Sequence, residues 1–332
     1  MKRANFLIPA IAQTDNLLLA FYKAQQGKSH SRAVRVYRAN LSENTELLKQ
    51  QIMSGKVAVG NYRQFTIYEP KQRQISAPAF NEQVLHHALM NICHPFFDSA
   101  QIFDSYASRP GKGVHAALRR AQEYARSYPF YLKLDVRKFF DSIHHSVLKT
   151  QLLRQFKDRK LLHILYCIID SYETEPNRGV PIGNLSSQYF ANHFLTGLDR
   201  YIKETLRIKA YVRYMDDMVL WHSDKETLKQ VLEKIRTYIN NQLLCEIKPP
   251  NLNLIQYGLP FLGYLIFPHN TRLLQNSKRR FIHKINQTTR NYENGYWSQQ
   301  TCSRSANSLL AFARFADTIY LRQQLFIKQN TN

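Results

Sequence analysis

Glycine and proline are sparse, 11 and 12 in 332 residues, and no Gly/Ser-rich or Pro-rich stretch or internal repeat occurs. Collagen-like and low-complexity architectures are excluded, and any domains are expected to pack together rather than hang on linkers. Cysteine is scarcer still. Cys93, Cys167, Cys245 and Cys302 stand 74, 78 and 57 residues apart, which gives neither a disulfide framework nor a CxxC metal knuckle. Reduced thiols in a cytoplasm fit that usage. No apolar run approaches the ~20 residues of a spanning helix, so no membrane-spanning segment is expected. Lys2 and Arg3 followed by Phe6 to Ala12 imitate a signal peptide, but the stretch is short and holds Pro9.

Acidic residues are also few. Asp and Glu total 24 against 46 Lys and Arg, a formal net charge of +22. Charge this one-sided repels itself unless a polyanion neutralises it, so nucleic acid or an anionic membrane surface leads the list of partners. At 44% hydrophobic and 12% aromatic residues the chain is rich enough in apolar side chains to fold around a sizeable core.

Residues 1–58, with 9 basic and 3 acidic side chains, read as a basic helical N-terminal extension with a helix around Asn16 to Ala24. A strand is expected at Phe65 to Tyr68 and an amphipathic helix after Pro78. Residues 131–136 (Tyr-Leu-Lys-Leu-Asp-Val) alternate with period 2 and predict a strand, followed by a helix from about Ser142 to Phe156. Tyr211–Tyr214 and Met218–Trp221 flank a short turn and predict a hairpin. A helix from about Lys225 to Asn240 and a strand over Phe261 to Phe267 follow. The tail, 271–332, carries 10 basic and 2 acidic residues and reads as helical. A small antiparallel sheet backed by helices, an α+β fold, accounts for this order.

Asp135 closes the first strand, and Asp216-Asp217 occupy the hairpin. If the two strands are neighbours, three carboxylates converge, and hard divalent cations with oxygen ligands are their natural partner. Two magnesium ions about 4 Å apart suit phosphoryl displacement. Asp is also a common turn residue, so Asp-Asp by itself does no more than end a hairpin.

Tyr214-Met215-Asp216-Asp217 resembles the palm tetrapeptide of reverse transcriptases. Leu132-Lys133-Leu134-Asp135-Val136-Arg137-Lys138-Phe139-Phe140-Asp141 resembles the first catalytic motif of the bacterial enzymes, with Arg178-Gly179-Val180-Pro181-Ile182-Gly183-Asn184 between the two. Phe261-Leu262-Gly263-Tyr264 is similar to the primer grip, and Ser108-Arg109-Pro110-Gly111 to a fingers loop, so the resemblance spans roughly residues 58–332. Ile182-Gly183-Asn184-Leu185-Ser186-Ser187-Gln188 resembles the pattern of diversity-generating retroelements, within the group II intron-like superfamily. So does the run from Lys248-Pro249-Pro250 to Tyr264.

The resemblance implies a right-hand polymerase fold with fingers and palm interleaved over 59–270 and a short helical thumb over 271–332. The ~60 residues after the primer grip are too few for an RNase H or integrase domain. The implied activity is RNA-directed DNA polymerisation, copying a template RNA into adenine-mutagenised cDNA. A retron, intron-derived or defence-associated reverse transcriptase is the alternative, and a non-catalytic RNA-binding protein on this fold is a third. The implied partners are template RNA and cDNA, dNTPs and a small basic oligomeric accessory protein.

By the same resemblance Asp135, Asp216, Asp217 and the Val136 carbonyl hold two Mg²⁺, for which Mn²⁺ is able to substitute. Phe140, five residues after Asp135, is the aromatic gate against the ribose 2′-hydroxyl, although Phe139 or Phe140 is required in the core. Arg73 grips the triphosphate through its guanidinium fork, against the alternative of a plain surface arginine. Lys248 is the general acid for leaving pyrophosphate. Ile182, Gly183 and Gln188 line the nucleotide, Ile182 replacing a Gln found in related polymerases. Arg109, Tyr214, Met215, Leu262, Gly263 and Tyr264 contact nucleic acid, with a solvated turn charge explaining Arg109 nearly as well. Lys278, Arg279 and Lys284 lie on a helix whose apolar residues Phe281, Ile282 and Ile285 would face the body, leaving the charges for phosphates. The His86-His87 and His144-His145 pairs lack partner ligands and are expected to be structural or surface residues.

Overall fold

The computed structural model of the chain describes residues 3–69 and 71–330. In chain order the first elements are α1 (Ile8–Ile11), α2 (Thr14–Ala24), α3 (Arg32–Ala39), α4 (Leu41–Ser54), β1 (Tyr62–Ile67), β2 (Arg73–Pro78), α5 (Phe80–Ala100), α6 (Val114–Ser127), β3 (Phe130–Asp135), α7 (Phe139–Ser142), α8 (His145–Gln155) and α9 (Arg159–Asp170). Then come α10 (Leu185–Phe194), α11 (Thr196–Arg200), β4 (Tyr211–Tyr214), β5 (Asp217–His222), α12 (Lys225–Tyr238), β6 (Asn251–Leu254), β7 (Leu259–Phe261), β8 (Tyr264–Ile266), β9 (Thr271–Leu273), α13 (Gln275–Glu293), α14 (Gln299–Arg314) and α15 (Ile319–Asn330). Two compact units interleave along this order. One takes residues up to Phe103, Val136–Arg207 and Glu233–Lys248; the other takes Asp104–Asp135, Ile208–Leu232 and the chain from Pro249 onward.

In the first unit, α5 buries Val84, Leu85, Ala88, Leu89, Cys93 and Phe97, the 3–4 spacing of an apolar helix face. Helix α2 packs on it, and the buried Asn16 amide donates to Ile11 O at 2.8 Å and Ala88 O at 3.1 Å, so its polar group is satisfied where water cannot reach. The Asp158 carboxylate accepts from Leu161 N at 3.2 Å at the start of α9 and from Leu7 N at 2.9 Å at the start of α1. One side chain thus caps two helices, joining segments 150 residues apart. Strands β1 and β2 form an antiparallel hairpin registered Tyr62↔Pro78 to Ile67↔Arg73. Tyr68 lies beyond β1.

The second unit is built on an antiparallel sheet in the order β4-β5-β3-β6. Tyr131, Val212, Val219 and Trp221 project from one of its faces into a core completed by α6 and by a small sheet, β7-β8-β9. Helix α6 offers Ala117, Leu118, Ala121 and Ala125, and its alanines allow close approach to the strands. The outer edge of β4 is covered, with Arg213 N donating to Asp104 O at 3.0 Å and Tyr106 N donating to Arg213 O at 2.9 Å. Within the same unit α13, α14 and α15 build a second cluster around Phe281, Ile285 and Ala313.

Two expected elements divide. The helix over Ser142 to Phe156 is α7 and α8, parted by Ile143 in extended conformation (φ −61°, ψ 115°). The strand over Phe261 to Phe267 is a hairpin: Phe261 pairs with Tyr264, and Leu262 and Gly263 turn between them with φ of +50° and +91°. Positive φ at both central residues matches the right-handed twist of the flanking strands. Leucine there conceals the turn from a pattern reading.

Candidate active site

Strands β3 and β5 run antiparallel with Leu134 opposite Met218 and Asp135 opposite Asp217. Strand β4 pairs Tyr214 with Asp217, leaving Met215-Asp216 as a two-residue turn. Directly opposed residues share a face of the sheet, so Asp135, Asp217 and Tyr214 stand on one side at the same end of three adjacent strands. Asp216 precedes Asp217 in the turn. Backbone register alone therefore brings together the three carboxylates singled out in the sequence.

Lys133 shares their face, two residues before Asp135. Its Nζ lies 3.2 Å from Asp217 Oδ1 and donates to Pro260 O at 2.9 Å. Burial pushes the Asp217 carboxyl up to about 6; Lys133 pulls the other way, and the neighbouring Asp135 and Asp216 charges add to the rise. Asp217 Oδ1 is a buried acceptor whose contact with Lys133 falls outside hydrogen-bond geometry. A buried carboxylate with one cationic neighbour, beside two more carboxylates, suits a hard divalent cation. Among the described residues no three His, Cys, Asp or Glu side chains are drawn up as a finished metal-binding group, so what the fold supplies is their alignment.

The hairpin β7–β8 belongs to the same unit. Leu262 and Gly263 form its half-buried tip, whereas Tyr264 is 0% exposed and donates its hydroxyl to Phe312 O at 2.9 Å. The Tyr264 side chain is therefore part of the core, and a contact of this residue with nucleic acid would fall to its backbone. Arg109 Nη1 donates to Ser105 O at 3.0 Å, which ties the arginine to its own loop. On α13, Ser277, Phe281, Ile285 and Thr288 are buried, Lys278 and Arg279 are exposed and Lys284 is half-buried.

The first unit holds the remaining candidates. Arg73 is exposed at the start of β2. Phe139 is buried and Phe140 half-buried, with ring centroids 5.8 Å apart, so Phe139 takes the core role that either could have filled. Val136 is buried and forms an isolated antiparallel bridge with Ile247, next to the half-buried Lys248. Ile182 is half-buried, and its carbonyl accepts from Ser76 N at 2.8 Å. Gly183 has φ +113°, and a Cβ there would lie 2.6 Å from Ile75 Cγ2. Only glycine permits this loop to rest on β2. Gln188 is exposed on α10.

Beneath that loop lies a polar cluster that pattern reading missed. His86 Nε2 is 3.5 Å from Glu82 Oε1, and both side chains are buried. Glu82 Oε1, both His86 ring nitrogens and both Asn184 side-chain atoms are buried without a partner in hydrogen-bond geometry. Burial pushes the Glu82 carboxyl up to about 7, opposed by backbone hydrogen bonds from Gly60 and Asn61, and pushes His86 down to about 3. Also missed were Arg213 and Lys133, each a cation inside a strand of aromatic and aliphatic residues. That mismatch with its neighbours was the available signal.

No helix among the described residues is long and apolar enough to cross a membrane. The chain is similar to Protein YkfC of Escherichia coli K12, 22% identical over 286 residues, covering 70% of this chain and 74% of that protein. It is also similar to the group II intron-encoded protein LtrA of Lactococcus lactis, 19% identical over 264 residues, covering 58% of this chain and 44% of LtrA. It thus spans less than half of that intron-encoded relative. Among solved structures, telomerase from Candida tropicalis in complex with a TWJ fragment of telomeric RNA superposes with a TM-score of 0.51 at 12% identity, covering 87% of this chain and 58% of that one. At that identity the likeness speaks for the right-hand polymerase fold alone. Residues 66–266 match the family described as reverse transcriptase (RNA-dependent DNA polymerase), well over half of the sequence, and the chain belongs to that family.

Proposed function

We propose that the chain is an RNA-directed DNA polymerase of a diversity-generating retroelement, copying a template RNA into cDNA with errors concentrated at template adenines. The observation that carries the polymerase reading is the register setting Asp217 opposite Asp135 with Asp216 in the adjoining turn. These three carboxylates are the residues to hold two Mg²⁺ or Mn²⁺ ions, with the Val136 carbonyl as a further donor. Bound there, the ions supply charge neutralisation at the attacking and leaving oxygens of phosphoryl transfer. Lys133 holds Asp217 in place, and the hairpin carrying Leu262 and Gly263 is tied to the same lysine through Pro260. Tyr214, Met215 and the α13 cations Lys278, Arg279 and Lys284 are assigned to primer and template.

Arg73, Phe140, Ile182, Gly183 and Gln188 are assigned to the incoming dNTP, and Lys248 to protonation of pyrophosphate. The retroelement subtype rests on Ile182-Gly183-Asn184 with Ser187-Gln188. A glutamine amide at 182 would give the nucleotide a hydrogen bond that isoleucine lacks. Its loss is worth on the order of 1 kcal/mol, which matters most where template pairing is weakest. Adenine, with two pairing hydrogen bonds, is such a base; the sparing of uracil is carried by the resemblance and not by this argument. The accessory partner is a small basic oligomeric protein.

A second reading, an intron-derived enzyme, is favoured by the similarity to LtrA. Sequencing cDNA made in vitro from an RNA template of balanced composition separates the two. Errors concentrated at adenine, reduced there by Ile182→Gln, support the retroelement reading. Equal error at all four bases favours the intron-derived one.

A further inference from the structure

Arg213 is 0% exposed, an uncommon state for a guanidinium. Its Nη1 donates to Met215 O at 3.0 Å, reaching forward from β4 into the turn that bears Asp216. That turn joins paired Tyr214 and Asp217 and has Met215 at φ +56°, while Asp216 is not among the residues of positive φ. A two-residue hairpin turn with positive φ at its first central position normally places glycine there. Methionine in this conformation is disfavoured, so something outside the turn must hold it.

Arg213 is placed to do so. Its backbone is locked on both sides, by β5 and by the Asp104–Tyr106 segment, so the guanidinium hydrogen-bonds from a fixed base. Arg213 pairs with Met218 and therefore points to the opposite face from Asp135, Tyr214 and Asp217. It braces the turn from behind without occupying the carboxylate side. We propose that Arg213 is a positioning residue: its buried guanidinium clamps the Met215 carbonyl and holds a turn methionine would not otherwise adopt, fixing where Asp216 and Asp217 present their carboxylates. This inference rests on the reading that those aspartates hold divalent cations.

The test compares wild type, Arg213→Lys and the double variant Arg213→Lys with Met215→Gly. The lysine keeps a buried cation but loses the planar fork, and glycine takes a positive φ unaided. Three quantities are read: amide hydrogen exchange at 215–217, Mn²⁺ affinity by electron paramagnetic resonance, and template RNA affinity. Arg213→Lys is expected to speed exchange in the turn at least tenfold and weaken Mn²⁺ binding about tenfold, with RNA affinity within twofold of wild type. Met215→Gly in the same chain is expected to recover most of the Mn²⁺ loss. Unchanged exchange and Mn²⁺ affinity in Arg213→Lys would overturn the proposal. So would a loss, or a failure to fold, that Met215→Gly does not repair, because Arg213 would then be serving the core at large. A wild-type chain that binds no Mn²⁺ would instead remove the metal reading on which the inference stands.

Discussion

The carboxylate group and the loop at Ile182-Gly183 are built by different means. Asp135 and Asp217 are brought opposite one another by strand pairing, so their register is a property of the backbone. The 182–184 loop has one backbone hydrogen bond to β2, a glycine closely approached by Ile75, and a buried Asn184. On the proposed roles, register places the chemistry and side-chain packing places the selectivity, so the two are expected to respond differently to substitution.

The largest effect is expected where that contrast is sharpest. Asp216→Asn or Asp135→Ala should abolish primer extension, at least a thousandfold, while template RNA affinity stays within twofold, since register survives and only the ligands are lost. Extension at a tenth of the wild-type rate would break the assignment. Next, Gly183→Ala should destabilise the first unit by about 1–3 kcal/mol in chemical denaturation, from strained φ and the Ile75 clash together. An unchanged midpoint would mean that the loop is not anchored by that contact.

Phe140→Ala is expected to relax dNTP over rNTP discrimination by roughly tenfold or more, the factor an energy of ~1.4 kcal/mol would supply. Steady-state competition between dCTP and CTP measures it. Neutralising Lys278, Arg279 and Lys284 together should flatten the salt dependence of RNA binding by up to about 3 units of slope, one for each lost phosphate contact. Equal slopes would put α13 off the RNA path.

The smallest effect concerns pH. Glu82 is held near 7 against an ordinary value of 4.5, so between those limits the folded state binds more protons than the unfolded one. Stability from this group is therefore present at low pH and falls as pH rises through about 7. His86, held near 3, and His193, held near 4, act oppositely, losing stability as pH falls below 6.5. The difference in denaturation free energy between wild type and Glu82→Gln should thus change between pH 6 and 8, with the wild type losing relative stability on the alkaline side. A constant difference would show that Glu82 is ionised throughout.

Much of this sheet was legible: Tyr131 to Asp135 alternates with period 2, and Tyr211 to Tyr214 and Met218 to Trp221 are short apolar and aromatic runs on either side of a turn. Pairing order was not in the pattern, and with it came the meeting of Asp135 and Asp217. The β7–β8 turn escaped because Leu262 carries no mark of a left-handed residue, and Met215 bends the catalytic turn equally unannounced. The burial of Tyr264 was not legible because it depends on α14, 48 residues later, whose Phe312 carbonyl takes its hydroxyl. Arg213 and the Glu82–His86–Asn184 cluster owe their situation to tertiary contacts, which no local window contains.

The pairing of a glycine that admits no side chain with a neighbour that is only half enclosed has a consequence for protein engineering. Gly183 keeps the main-chain path constant, and Ile182, anchored through its carbonyl to Ser76, is free to change what it displays without moving the peptide that bears it. A saturation library at that codon, with its neighbour left alone, should therefore yield mostly folded variants. On the role proposed for 182, those variants would differ in copying accuracy while the carboxylates keep their register.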